Sequence, residues 1–309
     1  MKCDKCNRDA VIFQKYSSAH LCEYHFKEAV ERKIKRDIRK YRMVEKNDTI
    51  AVALSGGKDS SMLLYILHKL FSKRRDTSLV AISIDEGIHG YRRHTLEHAY
   101  KLTGKLEITH VVKSFKDNFN ADLDTMTIGG KNPCSICGVL RKNLLNRTAR
   151  ELGATKLAMG HNLDDEAQTI LMNYLHANID RMTRMIPSSR QPGLIPRIKP
   201  LRSIPEKEVA LYAITTNLPL DTSTCPYAAT ALRNDARNLL NNYETAHPGT
   251  KYALLKGSEK ITESLKETQT TTPVQICERC GEPTGNKKTC KTCELLDHQT
   301  DSVHPTSSP

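Results

Sequence analysis

The stretch Thr49-Ile-Ala-Val-Ala-Leu-Ser-Gly-Gly-Lys-Asp-Ser60 decides how the chain is read. Its opening is apolar and rich in β-formers, which predicts a strand over Thr49–Leu54. Ser55-Gly56-Gly57-Lys58-Asp59-Ser60 ends that run. Met62, Leu63, Ile66, Leu67 and Leu70 then recur at helical spacing and predict a helix over Ser60–Phe71. Strand, glycine turn and helix start in this order aim free backbone N–H groups and the helix dipole at a phosphate. The spacing is not that of the kinase-type loop, GxxxxGK followed by Ser or Thr. A glycine-rich turn in any doubly wound protein would share one or two of these residues, whereas six in the right context point to a nucleotide.

Working outward, the alternation continues. Further strands are expected at Leu79–Ile84, Ile108–Lys113 and Lys156–Met159, and helices at Thr95–Leu102, Val139–Leu152 and Asp164–His176. The expected fold is therefore α/β, a doubly wound and mostly parallel sheet with its ligand at the carboxyl ends of the strands.

The chain has 309 residues, enough for one large domain with small appendages. Lys+Arg 47 against Asp+Glu 35 gives 47 − 35 = +12, which favours a polyanionic partner. No run approaches the ~18 apolar residues of a membrane span, and the N-terminus lacks a signal-peptide core. Cytosolic location, no membrane partner and thiolate rather than disulfide chemistry for the ten cysteines are the matching expectations.

Those cysteines fall into three groups. Cys3-x-x-Cys6 with Cys22-x-x-His25 has zinc-ribbon spacing, with His20 as a less well-spaced substitute for His25. Cys277-x-x-Cys280 with Cys290-x-x-Cys293 repeats the device with four thiolates. Each set closes a tetrahedral shell, so both read as structural zinc. Between the first finger and the strand, Val30, Ile34, Ile38 and Tyr41 mark one face of a helix over Phe26–Tyr41. Arg32, Lys33, Lys35, Arg36, Arg39, Lys40 and Arg42 cover the rest, suited to gripping a phosphate backbone or simply solvated.

Cys134, Cys137 and Cys225 remain, one ligand short of a closed site. They can carry a [4Fe–4S] cluster with one iron open, or two of them can run a persulfide–disulfide relay. Arg141 and Lys142 follow Cys137 closely, and cations beside a helix start are expected to lower thiol pKa values. Gly160-His161-Asn162-Leu163-Asp164-Asp165-Glu166 follows the fourth strand, and its paired carboxylates suit Mg²⁺ on ATP phosphates or plain helix capping.

Ser55–Ser60 resembles the PP-loop of ATP pyrophosphatases, which release pyrophosphate and leave AMP on the substrate. The two fingers, Pro133–Gly138, Gly160–Ala167 and Cys225-Pro226-Tyr227, in one order, extend this to nearly the whole chain. As a set they resemble the tRNA 2-thiouridine synthetases of the TtuA and NcsA type, relatives of the TtcA 2-thiocytidine enzymes. The resemblance implies that ATP sits on Ala53, Leu54, Ser55, Gly56, Gly57, Lys58, Asp59, Ser60, Ser83, Arg141 and Gly160. It implies that Cys134, Cys137 and Cys225 hold the cluster, while Asp165 and a basic residue, Arg141 or Lys142, assist catalysis. Uridine O2 would be adenylated and then displaced by sulfur. Asp85–Arg92 and Ile170–Asn173 lean towards the wobble uridine over the T-loop uridine. The expected partners are tRNA, a sulfur donor (free sulfide or a ubiquitin-like thiocarboxylate protein) and a second copy of the chain. The expected parts are a finger over 1–26, a basic helix and linker over 27–48, and the catalytic domain over 49–250. A linker over 251–276, the second finger over 277–294 and a disordered tail over 295–309 complete the reading.

Overall fold

The computed structural model describes residues 1–128, 132–178, 181–182, 193–219, 221, 223–230, 233–265, 274–284 and 287–303. Five strands form the central sheet: β1 (Asp48–Ala53), β2 (Thr77–Asp85), β3 (His110–Ser114), β4 (Lys156–Ala158) and β5 (Arg197–Ile198). All pair in parallel, in the order β3-β2-β1-β4-β5. The chain thus starts at the centre, builds outward through β2 and β3, then reverses to the other side. The point of reversal lies between β1 and β4, where the loops after the two strands diverge and leave a crevice.

The period of two along the strands sorts the core into two layers. Ile50 and Val52 face one layer, packed with residues of α1 (Glu23–Lys40) and α2 (Lys58–Phe71). Ala51, Ile82 and Ile84 face the other, against Leu140 and Leu144 of α4 (Pro133–Glu151). α3 (Arg92–Lys105), α5 (Leu163–Leu175), α6 (Glu206–Thr215), α7 (Arg233–Ala246) and α8 (Thr250–Leu265) complete the shell. The amino-terminal finger is tied down by a buried acceptor. Gln14 Nε2 and Tyr16 Oη both donate to Glu208 Oε1 of α6, at 2.9 and 2.6 Å.

Three expectations change. Residues 251–265 are not linker but most of α8, which buries Lys251, Leu255, Ser258 and Thr262 on one face. Three of those four are polar, so a search for apolar periodicity passes over the stripe. Residues 266–273 of the expected linker lie outside the described residues. The chain after Cys293 is also helical, in α9 (Lys291–Val303), because Leu295 and Leu296 pack against the α4 layer. Helix α4 begins at Pro133 rather than Val139: Asn132 caps it by accepting from Ser135 N at 3.2 Å, with proline at the first helical position.

The basic helix α1 docks by Phe26, Val30, Ile34 and Ile38, and many of its cations are engaged. Lys27 pairs with Glu23 and Arg32 with Glu28, while Lys33 donates to Tyr16 Oη and Tyr252 Oη. Lys40 pairs with Glu259. Exposed Lys35, Arg39 and Arg42 instead ring an open pocket floored by Ile38, Val44, Leu70 and Phe71.

Candidate active site

Ser55–Ser60 is a built loop. Ser60 Oγ accepts from Ser55 N at 3.1 Å and lies 3.0 Å from Ser55 Oγ. Gly56 has φ +87°, and a Cβ there would sit 1.9 Å from the carbonyl oxygen of Thr95. Only glycine fits. Gly57 precedes α2 in extended conformation and has no side chain to cap it, so the first N–H groups of the helix are left for a ligand.

The second wall comes from the turn after β4. Gly160 approaches the loop so closely that a Cβ would lie 3.1 Å from Asp59 C and Ser60 N. Asn162 then does two jobs. Its Nδ2 donates to Asp59 Oδ1 at 2.9 Å, and its Oδ1 accepts from Asp165 N at 3.1 Å. Asp165 returns a bond to Asn162 N, completing a reciprocal cap at the start of α5.

Between these walls is a cleft of about 270 Å³ at the carboxyl ends of the strands. Ala53, Leu54, Ser55, Asp59, Ser60 and Gly160 line it, together with Cys137, Arg141 and Cys225. Ile82, Ile84, Ile88 and Tyr91 add apolar floor, and Glu86 and Arg92 also reach the lining. The phosphate loop and two of the three spare cysteines therefore share one cavity. Cys134, exposed one helical turn before Cys137, donates towards Tyr227 O at 3.5 Å, beside the Cys225 turn.

Other expected residues lie outside the lining. The Ser83 hydroxyl is fully buried, donates to Leu54 O at 2.6 Å and lies 2.7 Å from His110 Nε2. Lys58 bridges Asp59 and Glu206 at 2.9 and 2.8 Å. Arg141, not Lys142, belongs to the cleft; Lys142 lies amid Arg197, Arg181 and Arg233, and burial with these neighbours lowers its pKa. Asp164 is committed to Lys251 and to Glu206 N, so the two adjacent carboxylates do not form a Mg²⁺ clamp. Asp165 faces Arg233 at 3.5 Å. The expected lowering of thiol pKa fails at Cys137. Burial pushes the Cys137 thiol up to about 11, outweighing Arg141, and burial also raises Cys225.

Two donor sets converge tightly among the described residues. Cys3, Cys6, Cys22 and His25 form one, and Cys277, Cys280, Cys290 and Cys293 the other, with ligand atoms in each set within 4.8 Å. His25 Nδ1 lies 3.4 Å from both Cys3 Sγ and Cys22 Sγ, whereas His20 stacks on Phe13. Backbone N–H groups of Lys5 and Cys290 donate to Cys3 Sγ and Cys277 Sγ, as thiolate ligands require. Both sets fit a tetrahedral zinc ion. Cys134, Cys137 and Cys225 do not form such a set.

Comparison with known proteins follows this geometry. Residues 26–243 match the PP-loop domain model, and residues 2–27 match the model of the 2-thiouridine synthetase TtuA N-terminal LIM domain. The tRNA 2-thiolation protein NcsA of Haloferax volcanii is 40% identical, over 96% of this chain and 98% of that one. The chain belongs to the NcsA and TtuA family. Another relative is the tRNA-5-methyluridine(54) 2-sulfurtransferase of Pyrococcus horikoshii, 34% identical over 96% of this chain and 93% of that one. Among solved structures, the U34-tRNA thiolase NcsA of Methanococcus maripaludis with its [4Fe–4S] cluster superposes with a TM-score of 0.84. It is 34% identical, and the match covers 96% of each chain. This family likeness agrees with the doubly wound core.

Glu86, Arg92 and Asn162 are site residues whose roles the sequence alone did not reveal. Glu86 and Arg92 lie in the stretch Asp85–Arg92, which the sequence tied only to the choice of uridine, and Asn162 lies in Gly160–Glu166, where the carboxylates drew the reading.

Proposed function

We propose that the protein is a tRNA uridine 2-sulfurtransferase that uses ATP to activate O2 of the base. The observation that carries this is the shared cleft. Ser55, Asp59 and Ser60 line it from the phosphate loop, and Cys137, Cys225 and Arg141 line it from the opposite side. A carbonyl oxygen of a pyrimidine is a poor leaving group, so it needs adenylation before sulfur can replace it. Attack of O2 on the α-phosphorus breaks the α–β bond, releases pyrophosphate and leaves AMP on the base. Departure of AMP then drives sulfur into C2.

The chain's own groups divide the work. The free N–H groups at the start of α2 hold the departing pyrophosphate. Asn162 fixes Asp59 at the loop, and the apolar wall of Ile82, Ile84 and Ile88 keeps water from the activated base. Arg141 places positive charge beside the cysteines, where negative charge develops. Cys134, Cys137 and Cys225 would hold a [4Fe–4S] cluster; when bound, it supplies a sulfide nucleophile from an iron without a protein ligand. Mg²⁺ would neutralise the phosphates, with Asp59 and Asp165 as the carboxylates at hand. The two finger sets would hold one zinc ion each and keep the flanking modules folded.

tRNA is the macromolecular substrate, in keeping with the net charge of +12 and with exposed Lys35, Arg39 and Arg42. The Haloferax protein, 40% identical, shares the NcsA name with the Methanococcus U34-tRNA thiolase, whereas the Pyrococcus uridine-54 enzyme is 34% identical, and this favours the wobble uridine. The sulfur comes from free sulfide or a thiocarboxylate carrier. The test is nucleoside mass spectrometry on tRNA incubated anaerobically with reconstituted protein, ATP and sulfide. The reading requires 2-thiouridine in the anticodon fragment. A thiolated T-loop fragment overturns the wobble assignment, and unmodified tRNA with active positive controls overturns the function.

A further inference from the structure

A buried ion pair lies between the two halves of the cleft. Glu86 and Arg92 each expose only 5% of their side chains, and Arg92 Nε lies 3.0 Å from Glu86 Oε2. The other carboxylate oxygen faces Arg141 Nη1 at 3.4 Å. Arg92 also donates to Ile84 O and Ser55 O, each at 2.7 Å, and to Thr95 Oγ1 at 2.8 Å. One arginine therefore holds the ends of β1 and β2 and the first turn of α3. One glutamate connects that arginine to α4.

Stability alone gives a weak account of this arrangement. A carboxylate taken from water carries a large desolvation cost, and pairing with one arginine often only breaks even. The carbonyl contacts already satisfy much of Arg92. Arg141 differs, because its side chain is 49% exposed and Glu86 is its hydrogen-bond partner among the described residues. Without that anchor a long, half-exposed side chain has many rotamers to choose from.

We propose that Glu86 is a positioning residue for Arg141, and that the chain Ser55–Arg92–Glu86–Arg141 sets the distance between the phosphate loop and the cysteine trio. This rests on the sulfurtransferase reading, since it gives Arg141 its task beside the cysteines. The bond from Arg92 Nη1 to Ser55 O ties the strut to the phosphate loop. Glu86 touches no reacting atom and acts through Arg141.

The test is a double-mutant cycle on the reconstituted holoenzyme, following tRNA-dependent AMP formation, with ATP affinity of the cluster-free protein, its finger sites filled, read by calorimetry. Glu86→Gln is expected to lower kcat about tenfold, a modest loss of orientation, while KM for ATP stays within about twofold. Arg141→Ala lowers kcat further, and adding Glu86→Gln to it changes nothing more. Arg92→Lys, which cannot reach both carbonyls, weakens ATP binding in the calorimeter, whereas Glu86→Gln does not. Glu86→Asp, which keeps the charge, retains more activity than Glu86→Gln and replaces it in the cycle should the amide not fold. Losses from Glu86 and Arg141 that multiply in the double variant overturn the inference, as does a Glu86 effect confined to KM. Wild-type protein that forms no AMP with tRNA overturns the underlying function instead, so the two failures are separable.

Discussion

Asn162 Nδ2 lies 2.9 Å from Asp59 Oδ1, joining the loop after β1 to the loop after β4 across the point where the sheet reverses. The same side chain caps α5, so one residue couples helix stability to the phosphate loop. Asn162→Ala should destabilise the protein by about 1 kcal/mol, the usual value of a cap. It should also raise KM for ATP. Asn162→Ser restores the cap but cannot reach Asp59, so urea titration and ATP kinetics should separate the two roles.

Gly56 and Gly57 are neighbours with opposite tolerances. Gly56→Ala combines a positive φ with a carbonyl 1.9 Å from the new Cβ, and backbone cannot yield as a side chain can. ATP binding should be lost, with destabilisation on the order of 2 kcal/mol or more. At Gly57 the nearest atom to a new Cβ is Ser55 Oγ at 3.7 Å, and Gly57→Ala should fold normally. Calorimetry with ATP on both variants checks the contrast.

Each finger should hold one zinc ion independently. Metal analysis is expected to give two zinc ions per chain. Cys22→Ala should remove one of them and loosen the finger held by Glu208, leaving the Cys277–Cys293 site filled. A strong chelator should lower the melting temperature of the whole protein.

His110 gives the fold an acid-sensitive point. Burial, with help from Arg92, depresses its pKa from 6.5 to about 4, so the folded protein keeps the imidazole neutral against Ser83. Above pH 6.5 it is neutral in both states and contributes no pH dependence. Between about 6.5 and 4 the unfolded chain takes up the proton and the folded one does not, so stability falls as pH drops through that window. His110→Asn should flatten this part of the urea-midpoint profile relative to wild type, with other acid-titrating groups cancelling in the comparison.

How much of this was legible follows from local physics. The phosphate loop stood out because its signal is local: six residues, a preceding β run and a following helical period. The finger ligands were legible for the same reason, since zinc fixes their spacing. Pairings over long separations were not legible. Asp164 looks like half of an acidic pair until Lys251 reaches it from α8, a helix hidden by its polar stripe. The thiol prediction at Cys137 rested on a nearby cation, whereas burial, which sequence does not report, has the larger effect. Ser83 shows the cost of a one-residue slip in facing: Ile82 and Ile84 line the cleft, and the residue between them points to the other side of the sheet.

The most direct measurement of the central claim follows α-labelled ATP in a reaction with tRNA, sulfide and anaerobically reconstituted protein. The account predicts AMP and pyrophosphate in equal amounts, formed only with tRNA and matched one for one by 2-thiouridine. It also predicts their joint loss in Asp59→Ala with both zinc sites still filled. ADP as the product, or thiolation that proceeds without ATP cleavage, would contradict it.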